Sequence, residues 1–201
     1  LEDELYNLGV DGTRSAINFL RSVRDMLRGN STSKVNITTK WDGAPAIICG
    51  IDPENGKFFV GTKSVFGKTP KKNYTNEDIA NNHPAEGLAS KLRIALANLK
   101  DLGIKDVIQG DMMFSKSDLS KEKIDGESFI TFQPNTILYA IPSDSELGRR
   151  ISSANMGIVF HTLYSGGDTL ADMKGSFNID ISGLKKSNKV WFQDASFKDV
   201  S

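Results

Sequence analysis

The part of this chain that most restricts its fold is the run over residues 44–62. Two apolar stretches, 44–51 and 57–62, flank the turn sequence Asp52-Pro53-Glu54-Asn55-Gly56. Short stretches of this kind joined by a Pro-, Asn- and Gly-rich turn read as an antiparallel hairpin. A lone hairpin is barely stable in water, so the fold must add strands or helices that cover it. The sequence offers strand-like runs at 34–40, where Val35, Ile37 and Thr39 alternate, and at 106–114, 128–132, 136–141, 156–164 and 190–193. Helical spacing of Ala16, Ile17, Leu20, Val23 and Leu27 predicts a helix over 11–27, with Asp11 or Thr13 as its cap and Gly29 as its stop. A second helix is predicted over 84–102, opened by Pro84 and closed by Gly103, and a short third begins at Ser143-Asp144-Ser145-Glu146 and ends near Ser153. The polar segment 67–84 reads as an exposed loop with one short helical turn. The expected class is therefore α+β, dominated by antiparallel pairing, with flanking helices.

Length and composition narrow the organisation. With 201 residues, 38% of them hydrophobic, the chain is long enough for one domain and too short for two full ones. We expect an N-terminal helical segment at 1–33, a core at 34–164 and a C-terminal segment at 165–201. Basic and acidic residues balance at 25 each, so nucleic acid is not gripped by bulk charge and any grip must be local. No apolar run approaches the length of a membrane span, and no basic-then-apolar leader is present. Cys49 is the single cysteine, which excludes an internal disulfide and fits a reducing, cytoplasmic compartment.

Several motifs fail on physical grounds. The stretch Gly61 to Thr69 resembles a phosphate-cradling P-loop but has five residues between its glycines where four are required, and Pro70 blocks the helix that should follow. His83 and His161 are far apart and have no cysteine pair, so they read as structural histidines and not as zinc ligands. No Gly-x-Ser-x-Gly elbow is present, and Cys49 sits in an apolar strand as an inert thiol.

What survives is Lys40-Trp41-Asp42-Gly43, placed before the hairpin where glycine allows close approach of the backbone. Thr62-Lys63-Ser64 follows about twenty residues later, then Gln109-Gly110-Asp111-Met112 on a strand and Phe132 on the next. In this order the residues resemble the covalent lysine nucleotidyltransferases: ATP-dependent DNA ligases, RNA ligases and mRNA-capping guanylyltransferases. The segment Lys40-Trp41-Asp42-Gly43-Ala44-Pro45 is also similar to one in an uncharacterised family of tailed-phage proteins, which would place the chain in a host cytoplasm.

The resemblance implies that Lys40 takes a nucleotide as a phosphoramide, with ATP as donor and Mg2+ as cofactor. It further implies that Thr39, Trp41, Asp42, Gly43 and Lys63 bind the nucleotide, that Asp111 meets the ribose or a metal, and that Phe132 stacks on the base. A lysine of ordinary pKa, about 10.4, is almost wholly protonated at neutral pH, so cations beside it must help to free the amine. Lys63 and Mg2+ would do so and would stabilise departing pyrophosphate. Asp42 is expected to orient the loop rather than act as a base.

The chain departs from that pattern. Asp111 stands for a glutamate and Lys63 for an arginine, the late acidic motif is represented only by Met156-Gly157-Ile158-Val159-Phe160, and Lys185, Lys186 and Lys189 are the only trace of the final paired lysines. The chain begins at Leu1 without a methionine, and the late motifs are expected beyond Ser201. The leading expectation is the adenylation domain of a polynucleotide ligase, DNA or RNA, acting on polynucleotide ends. A non-catalytic nucleotide- or nucleic-acid-binding module and a capping-type guanylyltransferase stay open as alternatives.

Overall fold

The computed structural model describes residues 2–28, 39–177 and 179–195, and the chain separates into two compact units, 1–38 with 197–201, and 39–196. The first unit contains helix α1 (Glu2–Leu27), broken at Gly9, whose backbone (φ 54, ψ −127) leaves helical space. A side chain would resist that conformation. The break leaves a continuous helical stretch after it that agrees with the apolar spacing over 11–27.

The second unit is mixed α and β, with antiparallel-rich sheets. Its six-stranded sheet contains β1 (Ala46–Ile51), β2 (Phe58–Gly61), β3 (Val107–Ser115), β7 (Met156–Ser165), β8 (Lys174–Ser176) and β9 (Val190–Asp194), in the order β2-β1-β3-β7-β8 with β9 also on β7. The hairpin pairs Ile51 with Phe58 and Ile48 with Gly61 around the expected turn. On the far edge of β7, β9 runs parallel along Met156 to Phe160 and β8 antiparallel along Leu163 to Ser165. A separate three-stranded sheet has the order β4-β5-β6, formed by β4 (Ser120–Ile124), β5 (Glu127–Phe132) and β6 (Tyr139–Pro142).

Helix α2 (Asn76–Asn82) precedes α3 (Glu86–Leu99), which buries Ala89, Leu92, Ala95 and Leu99 on one face of the large sheet. They meet Ile47, Cys49, Val60, Ile108, Met112, Ile158 and Phe160, all fully or nearly fully buried. Each buried side chain of this size contributes roughly 1.5–3 kcal/mol. After α3 a tight turn of 3-10 helix ends at Gly103, held left-handed at φ 75 as a helix stop requires. Helix α4 (Glu146–Ser153) is capped by Ser145, whose hydroxyl accepts from the Gly148 N–H at 3.0 Å.

The hairpin turn carries a buried polar lock. Asp52, fully buried, accepts from the Tyr74 hydroxyl at 2.5 Å, the Lys72 ammonium at 2.9 Å and the Glu54 N–H at 3.0 Å. Lys72 also pairs with Glu54. The lock ties the 62–75 segment back onto the turn.

Three expectations need correction. Residues 34–38 lie outside the described residues, and Thr39 and Lys40 are not in a strand; the hairpin strand begins at Ala46 instead of 44. The 67–84 segment carries the two-turn helix α2, built on a capping box between Thr75 and Asp78. The 136–141 strand starts only at Tyr139, because the N–H groups of Thr136 and Ile137 are donated to Asp42 and not to a neighbouring strand. Among the described residues no helix is long and apolar enough to cross a membrane.

Candidate functional site

Strand alternation builds the site. Along β3, Ile108 and Met112 point to the α3-covered core, while Val107, Gln109, Asp111 and Met113 share the other face. On that face Val107 belongs to a cluster with Ile48, Phe59 and Val65, and Met113 to a second cluster with Phe114, Phe132 and Trp191. Gln109 and Asp111 occupy the gap between the two clusters.

The neighbouring strand adds a histidine to this gap. Gln109 pairs with Thr162 and Gly110 with Phe160, so His161 is the extra residue of a β-bulge, the device by which strands re-aim a side chain. His161 Nε2 lies 3.6 Å from Asp111 Oδ1 and its Nδ1 lies 2.7 Å from the Thr162 hydroxyl. The two side chains are 23% and 25% exposed, open enough to meet a ligand. Gln109 itself accepts from the Tyr164 hydroxyl at 2.7 Å.

The loop 39–45 lies against the stem of Asp111. A Cβ on Gly43 would fall 2.6 Å from Asp111 Cβ and 2.9 Å from Met113 Sδ, so only glycine fits this close approach. Three backbone bonds fix the loop: Thr39 N–H to Ala195 carbonyl at 2.8 Å, Ala44 N–H to Met112 carbonyl at 2.9 Å, and Met112 N–H to Pro45 carbonyl at 3.0 Å. Trp41 stacks on Tyr139 with centroids 5.9 Å apart and meets Trp191 edge-on at 6.3 Å.

Asp42 is the loop's polar anchor. Its carboxylate accepts from Asn135 Nδ2 at 2.9 Å, Thr136 N–H at 2.6 Å and Ile137 N–H at 2.9 Å, and its own N–H donates to the Tyr139 hydroxyl at 3.1 Å. The Ile137 N–H, then Asn135 and Thr136, hold its pKa below the usual carboxylate value, with the Lys40 charge adding to the effect. Lys40 itself is exposed, between anchored neighbours.

The remaining predicted residues divide. Lys63 is exposed at the start of a 3-10 turn over Lys63–Phe66 that Thr62 caps. Strand β2 ends at Gly61, opposite Ile48, while Ala46 faces Asp111. Lys63 therefore leaves the sheet at the end of β1 nearest Asp111. Phe132 does not present a free ring. It is 4% exposed and packs between Phe114 at 4.9 Å and Tyr139 at 5.2 Å, so the base-stacking role is not available to it in this arrangement. With Trp41, Trp191 and Tyr139 these rings close a circle of five, since Phe114 also meets Trp191 at 6.2 Å. Among the described residues no group of three or more metal-binding side chains gathers around Asp111 or elsewhere. The Met156–Ser165 strand is interior, with Met156, Ile158 and Phe160 in the core.

Sequence reasoning missed His161, Tyr139 and Asn135. His161 gains its partner only through the β3–β7 register, which no local pattern announces. Asn135 and Tyr139 flank the loop that Asp42 captures, and the Pro134-Asn135 turn signal is the single local trace of it.

Compared with known families, residues 1–201 match one whose description is "Family of unknown function (DUF6267)". No curated protein and no solved structure matches the chain.

Proposed function

The chain belongs to the DUF6267 family, a membership that assigns no chemistry, and from the site itself we propose that it is a covalent lysine nucleotidyltransferase, the adenylation unit of a polynucleotide ligase-like enzyme. The observation that carries this reading is the seating of Gly43 on the Asp111 Cβ, which holds the Lys40 loop against this residue of the polar gap in the sheet. In this reading Lys40 Nζ, as the free amine, attacks the α-phosphorus of ATP. The N–P bond forms as the bond to the pyrophosphate oxygen breaks, that oxygen leaves with the electron pair, and one N–H proton passes to solvent. Lys63 supplies positive charge for the phosphates, and Asp42 keeps the loop in place.

Mg2+ binds through one or two carboxylates completed by substrate phosphates and water. The part-exposed Asp111 fits that donor set, and Mg2+ there would neutralise phosphate charge. Asp111, with His161 beside it, orients the nucleotide.

A second reading is favoured by the filled ring face of Phe132: a nucleotide-binding module that does not turn over. One experiment separates the two. The protein is incubated with Mg2+ and α-labelled ATP or GTP, denatured, and tested for label on the polypeptide that survives alkali and is released by acid, as a phosphoramide is. Label from ATP that is lost in Lys40→Ala is the expected result, and label from GTP alone would indicate a capping-type enzyme. Nucleotide binding without label would leave the non-catalytic reading standing.

A further inference from the structure

Helix α1 has a charge pattern unlike the rest of the chain. Four of the seven arginines, Arg14, Arg21, Arg24 and Arg28, fall on α1 or at its C-terminal end, and no lysine occurs before Lys34; in the remainder, lysines outnumber arginines 18 to 3. Arg14, Arg21 and Arg28 are seven residues apart and Arg24 is one turn from the last two. At about 3.6 residues per turn this confines all four to about a quarter of the helix circumference, over a length of about 21 Å. All four are exposed, whereas Gly12 and Ala16, on another side of the helix, are buried.

The acids nearby do not neutralise the stripe. Asp11 lies 3.8 Å from Arg14 and Asp25 2.7 Å from Arg24, both as surface pairs, and such pairs are weak enough to yield to a stronger anion. Glu2, Asp3 and Glu4 precede the break at Gly9.

We infer that this arginine stripe binds the phosphodiester backbone of a polynucleotide. Three features select that partner. Guanidinium groups give planar, two-pronged hydrogen bonds to phosphate that an ammonium cannot, and α1 uses only guanidinium. The stripe is linear and spans about six base-pair rises of a duplex, matching a repeating anion more than a single phosphate. The exposed apolar residues Ile17, Phe19 and Leu20 are spread around the helix by its spacing, Ile17 within the arginine sector, Leu20 beside it and Phe19 opposite, so they do not gather on one apolar face as they would on a helix lying in a lipid surface. The inference goes beyond the lysine chemistry, because the stripe binds a backbone whether or not Lys40 accepts a nucleotide.

The test is filter binding of the full chain to single-stranded and duplex oligonucleotides, of DNA and of RNA, across about 50–200 mM salt, the range over which phosphate binding changes most visibly. The variant Arg14→Gln/Arg21→Gln/Arg24→Gln/Arg28→Gln keeps good helix formers at exposed positions. It should weaken binding at least tenfold and flatten the log–log salt slope by about 3, near 0.7–0.9 for each phosphate that is no longer neutralised. Lys121→Gln/Lys123→Gln/Lys185→Gln/Lys186→Gln removes the same charge elsewhere and should change binding less than twofold. Asp11→Asn/Asp25→Asn should tighten it two- to fivefold. Circular dichroism confirms that each variant is folded, and the arginine variant should still take label from ATP, which separates this proposal from the one about Lys40. Equal weakening in the lysine variant would overturn the inference, as would an unchanged salt slope in the arginine variant. Arginine-dependent binding to phosphatidylserine vesicles with none to oligonucleotides would overturn it in favour of a lipid surface.

Discussion

The two faces of the large sheet use the same strands for opposite ends. On the face under α3, every inward position from Ile47 to Phe160 is apolar and buried, and Gly110 is packed so closely that a Cβ would meet the Val159 carbonyl at 2.6 Å. On the other face the apolar residues form two separate clusters, and Gln109, Asp111, His161 and Thr162 stand between them. The first face has no room for a ligand and supplies stability. The second gives up continuous burial and gains a place where polar groups converge. One residue of β3 separates the two: Asp111 and Met112 are adjacent in the chain and belong to different jobs.

Exchanging damage between the faces is the strongest way to break this contrast. Phe160→Ala should lower stability by about 3–5 kcal/mol, read as a shifted urea midpoint, with labelling per folded molecule unchanged. Asp111→Asn should do the reverse. Labelling from ATP should fall on the order of 100-fold, about 2.7 kcal/mol of transition-state stabilisation, with an unfolding midpoint within about 1 kcal/mol of the parent. If Asp111→Asn unfolds the protein while retaining activity, the polar gap is structural and the contrast fails.

Smaller effects sharpen the picture. His161→Gln should cost labelling roughly tenfold, about 1.4 kcal/mol, and His161→Asn should not restore it, because the shorter side chain does not reach Asp111. The pH dependence of the loop follows from Asp42. Its folded pKa is depressed, so its anchoring is complete above the ordinary aspartate value of about 3.9 and is lost as pH falls through the lowered folded value. An NMR titration of the Asp42 carboxyl carbon should show that midpoint below the ordinary value. Asp42→Asn should remove the titration and loosen the loop at every pH.

Much of this fold is written in local sequence. The turn at Asp52-Pro53-Glu54-Asn55-Gly56 and the Gly103 stop after α3 are chemical signals that need no tertiary context, and both mark what the structure contains, whereas α3 begins at Glu86, two residues past the Pro84 expected to open it, and Lys100–Leu102 is 3-10 helix. Strand β4 is illegible for a physical reason: all five of its residues are exposed, and Ser120-Lys121-Glu122-Lys123-Ile124 has no apolar face to announce it. Helix α2 is readable in principle, since Thr75 and Asp78 have capping-box spacing, but its polar composition outweighs that cue. At the site, the Lys40-Trp41-Asp42-Gly43 run is visible because its residue types are unusual together. The burial of Phe132 is not, because a strand aromatic looks the same whether it faces a ligand or two neighbouring rings. His161 depends on a bulge, and a bulge is a property of two strands and not of one.

The circle of five rings has an optical consequence. The chain has two tryptophans, Trp41 and Trp191, and both belong to that circle, one beside Lys40 and the other on β9. Every photon of indole emission therefore originates within the structure that holds the lysine loop, with no distant indole to dilute it. Excited at the red edge of indole absorption, where tyrosine is spared, the protein reports its own loop. Trp41→Phe and Trp191→Phe divide that signal between the loop side of the circle and its sheet side, so a ligand that displaces the loop would register without any added dye.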